Sequence, residues 1–164
     1  MSVKSSAPLA PATWLDTLLK DRLRAASLIL TILGLGNAGY LAWTKLTVTS
    51  IYCGPGSSAC DAVSASTYGY LLGIPVSYLG FAAYVALFAL LALETQHPLL
   101  KSAGPLAVFG LALFGTLFSA YLQYTSIVIL REICPYCVVN ALTQLALLIL
   151  AILRLRQSLA ADPE

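Results

Sequence analysis

The chain has 164 residues, of which 59% are hydrophobic and only 10% charged, against about 25% charged in an average soluble domain. That composition excludes a water-soluble globule. The formal net charge of +2 gives no ground for a nucleic-acid partner, and the placement of the charges is more informative than their sum.

In chain order, residues 1–24 form a polar leader containing "APLAPA". Its first 13 residues, rich in Ser, Ala and Pro, predict disorder, and residues 14–24 a short amphipathic helix on the cytoplasmic surface. Four stretches then lack Asp, Glu, Lys, Arg and His, at 25–44, 69–93, 102–130 and 133–153. Each reaches the roughly 20 residues a helix needs to cross a hydrocarbon core. Lipid offers no water to unpaired backbone groups, so all four are expected as helices. The expected fold is an all-α membrane protein, a four-transmembrane-helix bundle. The third stretch exceeds a core of about 30 Å, which predicts a tilt or a projecting end.

Lys4, Lys20, Arg22, Arg24, Lys101, Arg154 and Arg156 fall on one side of these spans, and Lys45 and Arg131 on the other. The positive-inside rule then puts both termini in the cytoplasm. Cys53, Cys60, Cys134 and Cys137 fall outside it, in a compartment where disulfides persist. The expected organisation is a cytoplasmic segment 1–24, a transmembrane catalytic domain 25–153 with an extracytoplasmic cysteine loop 45–68, and a cytoplasmic tail 154–164. The first apolar run is too long and wrongly flanked for a cleaved signal. His97, in the inner connection away from every cysteine, reads as a surface residue.

"GLGNAG", residues 34–39, matches the three-glycine dinucleotide pattern and follows the strand-like "LILTIL". That fingerprint needs a soluble βαβ unit, whereas these glycines lie inside a spanning segment. Close helix packing is the expected role.

"REICPYCVVN", residues 131–140, interrupts the last two apolar runs. Proline suits the first helical position, which makes Cys134 the N-cap of the fourth helix. Cys137 then falls in the first turn, where free N–H groups and the dipole favour a thiolate. Helical rise sets Cys137 about 4.5 Å deeper toward lipid. Such a pair can exchange with a protein thiol on its wet side and with a lipid-soluble oxidant on its dry side.

The other pair, "CGPGSSAC" at 53–60, is spaced by turn-forming residues and reads as a mobile arm in a long outer loop. A short helix over "DAVSAS" would bring Cys60 to Cys134. Four outer cysteines are open to three chemistries. Static disulfides would staple the loop; four thiolates would hold zinc, though with unusual spacing in an oxidising compartment; or mixed disulfides would pass electrons from pair to pair. The CxxC at a helix start favours the relay.

The six-residue cysteine spacing after helix one, "CDAVSAS", "GIPVSYLG" opening helix two and CPYC opening helix four together resemble the vitamin K epoxide reductase family, specifically its bacterial and archaeal homologues. In the other family of quinone-linked disulfide oxidases, the CxxC lies in the first outer loop, the reverse of this order. The resemblance, over about residues 25–153, implies that Cys137 works at a membrane quinone of the ubiquinone, menaquinone or phylloquinone type. It also implies that Cys134 exchanges with Cys60, and Cys53 with a thioredoxin-like extracytoplasmic protein. Ser66 matches a serine the family places near its active site. Animal members carry Thr-Tyr-Ala after the CxxC where this chain has Asn140, Ala141 and Leu142, which argues against epoxide reduction. Many bacterial members continue into a fused thioredoxin-like domain; here the partner is expected to be a separate protein, unless a fused domain has been removed.

Asn140, Gln123 and Tyr124 are further candidates for the quinone pocket, with helix–helix hydrogen bonding or an interfacial position as the plainer roles. Arg131 and Glu132 read as tuning groups or solvated anchors, and Pro75 as a kink in helix two. The expected function is quinone-linked oxidation of a thioredoxin-like protein. Reduction of vitamin K or its epoxide, and a stapled tetraspan scaffold, are the alternatives.

Overall fold

The computed structural model describes residues 14–54, 58–94 and 98–161. The expected disorder of residues 1–13 and the position of His97 lie outside the described residues. Helix α1 is Trp14–Thr47, α2 Ala59–Ala65, α3 Val76–Leu93, α4 Pro98–Tyr124 and α5 Pro135–Ala161. Four segments, Arg22–Thr47, Val76–Leu93, Ala103–Leu130 and Pro135–Ala160, are long and apolar enough to cross a membrane. The chain is a four-helix membrane bundle. Its spans form a closed ring in which α1 borders α3 and α5, and α4 borders the same two.

Three boundaries differ from expectation, each for a local reason. The surface helix over 14–24 is not separate; neither Pro nor Gly occurs between Trp14 and Leu33, so α1 runs straight through. The second span begins at Val76, not at residue 69. A 3-10 turn, Thr67–Gly69, leads into strand β1, Tyr70–Leu71, paired antiparallel with β2, Ile74–Pro75. Leu72 and Gly73 reverse the chain with φ of 52° and 82°, the left-handed pair that a two-residue hairpin needs. Pro75 is the cap residue ahead of α3 rather than a kink within it. At the C-terminal end of α4, Thr125–Leu130 widen into a π-helical turn. Arg131, at φ 55°, ends that turn.

Ala38, Tyr84, Leu87, Leu91, Val108, Ala112, Leu147 and Ala151 form the buried core between the four helices. At the bundle end away from the cysteines, Arg154 is ion-paired with Glu94 and both are buried. Arg24 donates two hydrogen bonds to the Leu91 carbonyl at 3.1 and 3.2 Å. A buried pair of this kind stabilises weakly as a unit, but losing either member strands the other charge at a cost of about 3–5 kcal/mol.

Two of the three glycines of "GLGNAG", Gly34 and Gly39, serve packing. A Cβ on Gly34 would overlap the Tyr84 ring, and one on Gly39 would meet Phe81 at 3.4 Å. Gly34→Val is therefore expected to destabilise the bundle by about 1–3 kcal/mol through overpacking. Gly36→Ala, whose Cβ meets nothing within 4 Å, is expected to stabilise it by about 0.5–1 kcal/mol through helix propensity. Thermal unfolding of both variants in detergent checks the contrast.

Candidate functional site

The first turn of α5 fixes one cysteine pair. Pro135 opens the helix, and Cys134 is its cap residue: the Cys134 carbonyl accepts the Val138 N–H at 3.1 Å. The Cys134 sulfur accepts the Cys137 N–H at 3.4 Å. A side chain at this position reaches the amide three residues on. The amide expected to favour a Cys137 thiolate is thus directed to Cys134. The approach to Cys134 is held from the other side by Ser126, whose hydroxyl donates to the Glu132 carbonyl at 2.7 Å and whose own carbonyl accepts the Glu132 N–H at 3.1 Å.

Tyr136, between the two cysteines, ties this turn to the rest of the outer face. Its carbonyl accepts the Asn37 side-chain amide at 3.1 Å, and its hydroxyl donates to the Tyr52 carbonyl at 3.0 Å. Its ring lies 5.2 Å from that of Tyr40. Asn37 comes from the glycine motif of α1, a contribution its sequence context did not suggest.

The loop pair is seated by short-range bonds. The Ile51 N–H donates to Asp61 Oδ1 at 2.9 Å, closing the chain onto the first turn of α2. Cys53 and Cys60 are joined as a disulfide, while Cys134 and Cys137 are thiols. Cys60 is 1% exposed and Cys134 2%, and they share one buried cluster with Ile51, against which Cys53, Cys137, Val63, Tyr136 and Leu41 pack. All four cysteines therefore meet in one apolar nest at one end of the bundle.

The Cys134 thiol is held down to about 7. The largest cause is its hydrogen bond with the Cys137 thiol; burial opposes it, and the backbone N–H groups of Cys137 and Tyr136 add to it. Near neutral pH a large share of Cys134 is thiolate, the form that attacks disulfides and leaves from them.

Beneath the nest lies a cavity of about 330 Å³ bordered by Cys60, Cys134 and Cys137. Leu79, Gly80 and Ala83 of α3 and Phe114, Phe118 and Leu122 of α4 supply apolar wall. Of the expected pocket residues, Asn140 and Gln123 border it. Ser66 does not; its hydroxyl donates to the Val63 carbonyl at 2.7 Å at the end of α2. Tyr124 does not either, being 60% exposed on the bundle exterior. Sequence reasoning missed Ser77, Ser119, Gln144 and Lys45, the last being the charged residue on this wall. Gln144 had a signal: an uncharged amide seven residues after Cys137 lies on the same helix face. Ser77 and Ser119 had none, since small hydroxyls are common in spanning helices.

A model of the vitamin K epoxide reductase family matches residues 25–152. A curated relative, the thiol-disulfide oxidoreductase LTO1 of Arabidopsis thaliana, is 31% identical over 121 residues, covering 71% of this chain and 32% of that protein. The chain thus matches about a third of the relative's length.

The Cys134 environment has a direct spectroscopic consequence. With the Cys53–Cys60 disulfide intact, the ultraviolet thiolate absorbance is expected to rise through a midpoint of about 7. In Cys137→Ala, which removes the largest cause of the lowering, the midpoint of Cys134 moves upward, so that less thiolate is present at neutral pH. A titration of both proteins by absorbance checks the sign.

Proposed function

Because this chain belongs to the vitamin K epoxide reductase family, we propose that it is a membrane thiol oxidoreductase that oxidises a thioredoxin-like protein outside the cytoplasm and reduces a membrane quinone. Its output is disulfide formation. The observation that carries this reading is the shared burial of Cys60 and Cys134 directly above a cavity that Cys137 also borders. The printed description of the Arabidopsis relative as a thiol-disulfide oxidoreductase supports the thiol chemistry.

The chemistry balances in three exchanges. A partner thiolate attacks the Cys53–Cys60 disulfide, and the partner's second thiol resolves the mixed disulfide at the partner's own sulfur. The partner leaves oxidised, with Cys53 and Cys60 as thiols. Cys60 then attacks Cys134 of an oxidised Cys134–Cys137 pair. Cys53 next attacks Cys60 in the resulting Cys60–Cys134 bond, which restores the loop disulfide and releases Cys134. A thiol held near neutrality is a good leaving group for that step. Finally Cys137 and Cys134, now thiols, deliver two electrons and two protons to the quinone. Cys137 is the nucleophile and Cys134 resolves, so their disulfide returns as hydroquinone departs. An oxidised loop pair above a reduced inner pair is the state in which the first can accept electrons and the second can donate them.

The cavity suits such an acceptor. Its wall is largely apolar, with a few hydroxyls and amides, the usual composition of a site for an aromatic headgroup. The basic residues Arg22, Arg24, Arg154 and Arg156 flank the spans at the end away from the cysteines. This supports cytoplasmic termini and an extracytoplasmic site for the multi-pass protein.

Anaerobic quinone reduction by the purified protein in detergent, with a dithiol as electron source, tests the proposal. Cys137→Ala is expected to fall to the background set by the dithiol alone. Cys53→Ala is expected to retain turnover with a small dithiol and to lose it with a reduced thioredoxin-like donor. A wild type that reduces neither benzoquinones nor naphthoquinones above background overturns the reading.

A further inference from the structure

The α5 face that carries Cys137 continues inward through Asn140 and Gln144, three and seven residues on, and all three border the cavity. The two amides are held differently. Asn140 Oδ1 accepts the hydroxyl proton of the fully buried Tyr84 at 3.0 Å, and its Nδ2 donates to Ser119 Oγ at 3.3 Å. This locks the group with its oxygen turned away and leaves a second N–H on Nδ2. Gln144 is 3% exposed, and its amide is seated against Gly115, where a Cβ would come within 2.9 Å of its Cδ, Oε1 and Nε2. Its Oε1 is buried with no hydrogen-bond partner among the described residues. A buried acceptor left unpaired destabilises the fold, so this amide bordering an apolar cavity calls for a hydrogen-bond donor from within it, such as a hydroquinone hydroxyl.

Four residues of helix separate the amides by about 6 Å along the axis. This is comparable with the distance between the two oxygens of a para-quinone ring. We infer that Asn140 and Gln144 grip the two ring oxygens of the quinone, Asn140 at the end near Cys137 and Gln144 at the deeper end. Gln144 is then the residue by which the site selects a headgroup with two para oxygens over one with a single oxygen. The inference rests on the quinone reading above and adds to it the orientation of the headgroup.

The unequal anchoring has a chemical use. Asn140, its oxygen engaged by Tyr84, offers only a donor, which suits a carbonyl or the anion formed as electrons arrive. Gln144 offers either end of its amide after rotation about its terminal bond. Nε2 donates to the quinone carbonyl, and Oε1 accepts the proton of the hydroquinone hydroxyl. Neither amide takes part in proton or electron transfer; both protons gained by the ring come from the Cys134 and Cys137 thiols.

The test compares two ligands on the full chain in detergent: a para-naphthoquinone methylated at both ring carbons between its carbonyls, as substrate, and the corresponding naphthol with one oxygen, as competitive inhibitor. Gln144→Met is expected to raise KM for the quinone about tenfold, the scale of one hydrogen bond to a buried group left unmade. It should affect the inhibition constant of the naphthol much less, because a single oxygen that loses Gln144 can still seat at the free Asn140 N–H, whereas the quinone needs both amides at once; Asn140→Leu weakens the quinone as well. An unchanged quinone KM in Gln144→Met overturns the inference, as does an equal weakening of quinone and naphthol, which would mark Gln144 as packing alone. Gln144→Asn, which withdraws the same amide by one methylene, repeats the comparison if the Met variant does not fold. A wild type inactive toward the quinone removes the functional reading itself. An active wild type with insensitive variants removes only this inference.

Discussion

The proposed relay depends on one contact, the burial of Cys60 with Cys134 against Ile51, which keeps water and competing thiols away from the two sulfurs. Much of the cysteine end of the bundle supports it. Asp61 anchors Ile51, Tyr136 reaches Tyr52 beside Cys53, and Asn37 holds the Tyr136 carbonyl. Ser126 and Glu132 fix the chain that delivers Cys134. Three spans, α1, α4 and α5, and the short helix α2 thus support this one pair of sulfurs.

The bundle keeps its cavity amides and its buried ion pair in two layers. Near the cysteines, Tyr84, Asn140, Ser119 and Gln144 gather around the cavity. At the far end Glu94 and Arg154 neutralise each other. Between them the core residues Leu87, Leu91, Val108, Ala112, Leu147 and Ala151 are apolar. The division suits the proposed chemistry: electrons and protons enter and leave at the cysteine end, and the opposite half of the bundle holds the helices in register. Gly34 joins the layers, since its missing side chain makes the space in which Tyr84 reaches Asn140.

The spans were legible because a hydrocarbon solvent leaves helices as the answer to long uncharged runs. The cap role of Cys134 was legible because proline has few comfortable places in a helix. Boundaries set by local backbone were not legible. The hairpin before α3 depends on left-handed conformations at Leu72 and Gly73, and a leucine gives no notice of one. The π turn at Thr125–Leu130 looks in sequence like the rest of its apolar run. In the site, Asn140 and Gln123 could be read from polarity and position. Ser66 and Tyr124 lie near the cavity in sequence but not on its wall. Gln144 was passed over although the helical period put it in line with Cys137.

In the proposed relay, electrons pass between the pairs through Cys60 and Cys134. The most direct measurement is the redox state of the double variant Cys53→Ala/Cys137→Ala, purified with only these two cysteines and analysed for free thiols and intramolecular bonding after mild oxidation. A Cys60–Cys134 disulfide with no free thiol left is expected. The matching variant Cys60→Ala/Cys137→Ala is expected to form less disulfide, because Cys53 packs at the edge of the cluster that Cys60 and Cys134 share. Free thiols in the first variant, or as much disulfide in the second as in the first, would overturn the relay.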